Sequence, residues 1–172
     1  HLKYNQVLKA AERSLERLQC SYIDLYQIHW PNPLVPIKET MSAMEKLVDE
    51  GKVRYIGVSN FSLSQTREAE ESLSKHELIS NQVEYSLKAR TIEPDLLPYS
   101  DKNGIVIVAY RPVAHGAPVS FPEIEVYQAV SGINSHAGGS ISWGPQPAGY
   151  TPRRAAGPRY LYWCIGEERS PE

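Results

Sequence analysis

Apolar positions along the first 110 residues fall into blocks whose period alternates between that of a helix and that of a strand. Val7, Leu8, Ala11, Leu15 and Leu18 recur at three- and four-residue spacing, which predicts an amphipathic helix with Lys9, Glu12, Arg13 and Glu16 turned outward. Tyr22 to His29 is rich in β-branched and aromatic residues and is stopped by Pro31 and Pro33, so it reads as a strand. Lys38 to Glu50 carries Met41, Met44, Leu47 and Val48 at helical spacing and closes at Gly51, a residue that readily takes the left-handed conformation of a helix end. Val53 to Ser59 predicts a second strand. Ser62 or Ser64 then caps a helix with Thr66, Ala69 and Leu73 on one side and Arg67, Glu68, Glu70 and Glu71 on the other. Leu78 to Tyr85 predicts a third strand, and Leu96 and Leu97 lie in a short helix before Asn103-Gly104. Ile105 to Tyr110 is an unbroken apolar run of the kind buried on both faces of a parallel sheet.

Strict alternation of helix and strand with short connections means parallel strands joined by crossover helices. A doubly wound nucleotide-binding sheet places a glycine-rich turn after its first strand, and neither G-x-G-x-x-G nor G-x-x-x-x-G-K-[ST] occurs here. A (β/α)8 barrel instead gathers its chemistry at the carboxyl ends of several strands. Each predicted strand ends in polar or aromatic residues, namely His29-Trp30, Ser59-Asn60, Gln82 to Tyr85 and Tyr110-Arg111, which favours the barrel.

The remainder of the chain has a different character. Residues 117–172 hold 7 of the 11 glycines and 7 of the 13 prolines but no lysine, and the Gly-Pro and Gln-Pro steps break helix and strand alike. This Gly/Pro-rich tail reads as irregular or disordered, either a solvated extension or a docking segment built on Trp143, Tyr160, Tyr162 and Trp163. The net charge of −2 supplies no basic field for nucleic acid or anionic lipid, and no apolar run is long enough to span a bilayer. Cys20 and Cys164 are too few for a disulfide scaffold, the five histidines show no metal-ligand spacing, and His1 to Val7 lacks the apolar segment of a signal peptide. The expected setting is a reducing, cytoplasmic one, with no metal.

Four segments then carry a family resemblance. Tyr22-Ile-Asp-Leu-Tyr-Gln-Ile-His-Trp-Pro31, Gly51-Lys-Val-Arg-Tyr-Ile-Gly-Val-Ser-Asn-Phe61, Asn81-Gln-Val-Glu-Tyr85 and Gly104 to Tyr110, in this order and at this spacing, resemble the middle of an aldo-keto reductase. The block Arg54 to Phe61 is the most specific. The resemblance covers residues 1–116 and implies a TIM barrel, present here in part as about four central β/α units, where a complete one needs roughly 250 residues. It also implies NADPH lying across the carboxyl-terminal mouth and hydride transfer to a small-molecule aldehyde or ketone. By the same resemblance, His29 matches the catalytic histidine that hydrogen-bonds the substrate carbonyl, and Trp30 borders the substrate cavity. Ser59, Asn60 and Gln82 match the holders of the nicotinamide carboxamide, and Tyr110 matches the aromatic that stacks on the nicotinamide ring.

The departures from the family pattern also have consequences. The family's tyrosine proton donor, with its aspartate and lysine, lies on strands preceding the region with which this chain starts, and Asp24, Lys3 and Tyr4 do not match them. Loss of a positioned acid typically costs about 10²- to 10⁴-fold, so the chain alone is expected to be inactive. Residues 117–172 do not resemble the segment that clamps the adenosine 2′-phosphate. Half a barrel exposes its inner apolar layer and two sheet edges, which invites a homo-oligomer that closes it. The alternatives to a reductase domain are a non-catalytic NADPH-binding or regulatory module and a fragment without function.

Overall fold

The computed structural model describes residues 2–86, 88–112 and 162–165. These divide between two compact units, residues 2–83, 93–108 and 162–165 in the first and residues 84–86, 88–92 and 109–112 in the second. The order of elements is α1 (Tyr4–Leu18), β1 (Ile23–Ile28), α2 (Ile37–Asp49), β2 (Val53–Ser59), α3 (Leu63–Ser72), β3 (Leu78–Glu84), α4 (Leu96–Lys102), β4 (Val106–Tyr110) and β5 (Tyr162–Ile165). The strands form one sheet in the order β4-β3-β2-β1-β5, and β1 pairs parallel with both β2 and β5.

The helices form where the spacing places them. Val7 and Ala11 of α1 and Met41, Met44 and Leu47 of α2 are fully buried against Tyr26, Ile28, Ile56 and Val58 on the outer face of the sheet. Each of the valine, methionine and leucine side chains contributes about 1.5–3 kcal/mol on leaving water. Gly51, at φ 69°, turns the chain out of α2 in the left-handed conformation expected of it. Of the two serines that could start α3, Ser62 does so: its hydroxyl accepts from the Gln65 N–H at 3.3 Å while its own N–H donates to Gln65 Oε1 at 3.0 Å.

Two expectations are corrected. The Ile105 to Tyr110 run is not buried on both faces: β4 is the last strand of the sheet, with β3 on one side only among the described residues, and Val106 is 60% exposed. The tail is not irregular throughout, because Tyr162–Ile165 forms β5, in register with Leu25 to Ile28 of β1. Aromatic and β-branched residues favour strands, and among the described residues the edge of β1 away from β2 has no other partner. The remaining tail positions, Trp143 and Tyr160 among them, lie outside the described residues.

One irregularity decides which side chains reach the inner face. Ile56 pairs with Leu78, but Gly57 pairs with Ser80, so Ile79 is an extra residue in β3. Leu78 therefore joins the helix-side core, while Ser80 and Gln82 come level with Gly57 and Ser59. Gly57 is required there for space, since a β-carbon on it would lie 2.5 Å from Ser80 Oγ and 2.8 Å from Gln27 Cγ. Gln27 is 1% exposed and donates from Nε2 to Val58 O and Ser80 Oγ, each at 3.3 Å, forming a polar layer beneath the strand ends.

Candidate active site

The carboxyl ends of β1, β2 and β3 meet in a hydrogen-bonded corner built from residues that follow the last buried layer. Ser59, 2% exposed at the end of β2, donates from Oγ to the Gln82 carbonyl at 2.8 Å. The Asn60 N–H donates to the same carbonyl at 2.8 Å. Asn60 itself sits at φ 60°, a left-handed conformation that asparagine tolerates better than most residues. That turn swings its amide back toward β1, where Nδ2 donates to the His29 carbonyl at 2.9 Å and to Ser59 Oγ at 3.1 Å. One asparagine thus ties the strand that carries His29 to the strand that carries Ser59.

His29 lies one residue beyond β1 with its side chain exposed, and Trp30 follows at 56% exposed, the two ring centroids 6.3 Å apart and the planes tilted by 52°. A cleft of about 380 Å³ opens next in the chain, walled by residues 31–37 and by Gln65 and Glu68 of α3. Its wall begins at Pro31, one residue past Trp30. Tyr110 ends β4 and belongs to the second unit, where its carbonyl accepts from the Tyr85 N–H at 3.4 Å and Arg111 lies 3.7 Å from Glu84. Of the six residues singled out from the sequence, four (His29, Ser59, Asn60 and Gln82) therefore converge in one network, through main-chain as well as side-chain atoms.

Sequence reasoning passed over Gln27, Gly57 and Ser80, which pack together beneath this corner, and Asn81, which is bonded to Phe61 and Thr66 on the other face of β3. A glycine inside an otherwise apolar strand marks a close approach, so Gly57 was open to detection. The other three depend on the bulge in β3. No group of three His, Cys, Asp or Glu side chains able to hold a metal occurs among the described residues, and none of their helices is long and apolar enough to cross a membrane.

Comparison with known proteins decides the family. The aldo/keto reductase family model matches residues 1–124, eight residues beyond the 1–116 span of the resemblance. This chain belongs to the aldo-keto reductase family. It is 43% identical over 116 residues to the aldo-keto reductase YhdN of Bacillus subtilis, covering 67% of this chain and 34% of that protein. It is 39% identical over 109 residues to the methylglyoxal reductase YeaE of Escherichia coli, covering 63% and 38% respectively. The chain spans about a third of the length of the curated relatives it matches. Among solved structures, the thermostable aldo-keto reductase Tm1743 in complex with the inhibitor epalrestat superposes with a TM-score of 0.72 at 38% identity, over 78% of this chain and 50% of that one. An aldo-keto reductase from Klebsiella pneumoniae in complex with NADPH gives 0.65 at 37% identity, over 72% and 45%. The parallel α/β sheet is thus part of an aldo-keto reductase TIM barrel, as expected from the strand ends.

Proposed function

We propose that this chain supplies the part of an NADPH-dependent carbonyl reductase that holds the nicotinamide carboxamide and aims the substrate carbonyl. The observation that carries the reading is the corner itself, where Ser59, Asn60 and Gln82 meet beside the main chain of His29. A carboxamide has N–H donors and one carbonyl acceptor; with the Ser59 proton and the Asn60 Nδ2 protons committed within the corner, Asn60 Oδ1 is left to accept from the carboxamide N–H, and Gln82, level with Ser59 on the inner face of β3, is the residue whose amide would donate to its carbonyl, so the residues fit the group. A nicotinamide nucleotide bound there supplies the hydride. Ser59, Asn60 and Gln82 fix which face of the ring is presented, and the exposed His29 imidazole hydrogen-bonds the oxygen of an aldehyde or ketone and orients it for attack. Trp30 would form a wall of the substrate site, and the stacking role of Tyr110 rests on the family resemblance alone.

The resemblance assigns no residue of this chain to the family's tyrosine acid or to its aspartate and lysine. Binding without appreciable turnover is therefore the expected behaviour of these 172 residues on their own. Cys20 is a free thiol, in keeping with a cytoplasmic setting.

Fluorescence titration with NADPH tests the reading. The chain is expected to show saturable binding, and Ser59→Ala and Gln82→Ala each to weaken it about 2- to 12-fold, the value of one hydrogen bond. His29→Ala should leave the affinity close to that of the wild type, since its imidazole acts on the carbonyl. Absence of saturable binding, or Ser59→Ala and Gln82→Ala variants that bind as tightly as the parent, would overturn it.

A further inference from the structure

Behind the corner, on the opposite face of β3, stands a polar side chain that the proposed function does not use. Asn81 is fully buried, and its Nδ2 donates to the Phe61 carbonyl at 2.9 Å and to Thr66 Oγ1 at 3.0 Å. Thr66, also fully buried, passes the tie on by donating from its hydroxyl to the Ser62 carbonyl at 2.8 Å. A carbonyl can only accept, so the Phe61 contact fixes which end of the Asn81 amide faces α3. Its Oδ1 is left buried without a hydrogen-bond partner among the described residues. An apolar side chain of similar size would fill the same space without an unpaired Oδ1, but it would take from the Phe61 carbonyl the donor that Asn81 supplies, so what the amide adds beyond packing is its hold on that carbonyl and on Thr66.

What the amide gains is a hold on residues 61–66, the turn that begins directly after Asn60. Asn60 is in the left-handed region, and a residue other than glycine stays there only where its surroundings hold it. On the inner side it is held by the carbonyls of Gln82 and His29. On the outer side the next residue, Phe61, is held by Asn81. The bulge at Ile79 makes this division possible, since it sets Gln82 level with Ser59 on the inner face and leaves Asn81 to the helix side. Two consecutive residues of β3 thus grip the turn that follows β2 from both sides.

We propose that Asn81, acting through the Phe61 carbonyl and Thr66, is a positioning residue that holds Ser59 and Asn60 in the geometry that receives the nicotinamide carboxamide. The inference rests on the function proposed above for that corner. It does not make Asn81 a ligand contact.

The test uses the full chain with Asn81→Ala and, as a milder variant in case that one fails to fold, Thr66→Val. Amide hydrogen exchange by NMR reads the hold without any ligand. Exchange at the Asn60 N–H is expected to quicken by about 2- to 12-fold, the effect of one lost hydrogen bond on a local opening, while Tyr26 in β1 keeps its rate. A second readout compares binding of NADPH with binding of 2′-phospho-ADP-ribose, the same nucleotide without its nicotinamide. The preference for NADPH is expected to fall about 2- to 30-fold in the variants with affinity for the shortened nucleotide unchanged, which a general loss of stability would not produce. An Asn60 exchange rate equal to that of the wild type, or one that rises only in step with Tyr26, overturns the proposal. So does a parallel loss of affinity for both nucleotides. A wild-type chain without preference for NADPH would refute the function proposed for the corner, and the exchange rates would still decide whether Asn81 holds it.

Discussion

Gly57 lies where the inner side chains of three strands converge, and Gly57→Ala is the most exacting single-atom perturbation of the fold beneath the site. Its backbone is ordinary strand, so the requirement is one of space. The added β-carbon would stand 2.5 Å from Ser80 Oγ, 2.8 Å from Gln27 Cγ and 3.1 Å from a Leu25 methyl. The serine hydroxyl can rotate away, but only by giving up the bond that it accepts from Gln27 Nε2 at 3.3 Å. The glutamine stem cannot retreat as easily, because Gln27 is also bonded to the Val58 carbonyl and is 1% exposed. Overpacking of a core typically costs 1–3 kcal/mol and a lost buried hydrogen bond 0.5–1.5 kcal/mol, so Gly57→Ala is expected to destabilise the chain by about 2–4 kcal/mol. Urea denaturation followed by circular dichroism measures this as a lower midpoint at constant slope. Adding Ser80→Ala removes the nearest clashing atom and should recover about 1 kcal/mol, a non-additivity expected of residues in contact. A cost below about 0.5 kcal/mol for Gly57→Ala, or strict additivity of the pair, would refute the close packing of β1, β2 and β3 on the inner face.

Two further outcomes concern ties elsewhere in the fold. Burial alone would raise the Glu45 carboxyl, but hydrogen bonds from the N–H groups of Lys75, Ser74 and His76 outweigh it and hold the pKa below 4.5. A folded value below the unfolded one means that this tie is at full strength above pH 4.5 and is lost as the pH falls through the lowered value. Thermal midpoints from pH 7 downward should therefore fall more steeply for the wild type than for Glu45→Gln, and parallel curves would contradict the tie. Removal of residues 158–172 takes β5 from β1 and leaves that strand as a bare sheet edge. Sedimentation should then show concentration-dependent association with a lower thermal midpoint, and a monomer with an unchanged midpoint would mean that β5 adds nothing.

The helices and the first three strands were legible because Val7, Ala11, Met41, Met44 and Leu47 repeat at helical spacing and the intervening runs favour strands. The exposure of β4 was not, since an apolar run reads the same whether it is central or last in a sheet, and its place depends on which strands adjoin it. β5 was hidden for a related reason. Four residues among breakers pair in register with the edge of β1, and that edge is a product of the tertiary fold. His29, Ser59, Asn60 and Gln82 stood out by resemblance, but their joining through the left-handed Asn60 and the Gln82 carbonyl is a matter of geometry. The alternation from Leu78 to Val83 gives no sign that one extra residue reverses the faces after Ile79. Without that bulge in view, neither the inward turn of Gln82 nor the supporting place of Asn81 could be read from the chain.

The central claim is that these residues fold into part of an aldo-keto reductase barrel whose strand ends form a site for a nicotinamide nucleotide. Thermal unfolding of the chain by circular dichroism, with and without excess NADPH, tests it most directly, because a ligand that binds only the folded state must raise the midpoint. A cooperative transition that moves to higher temperature with NADPH is the predicted result. A broad transition that does not respond to the nucleotide would contradict the claim.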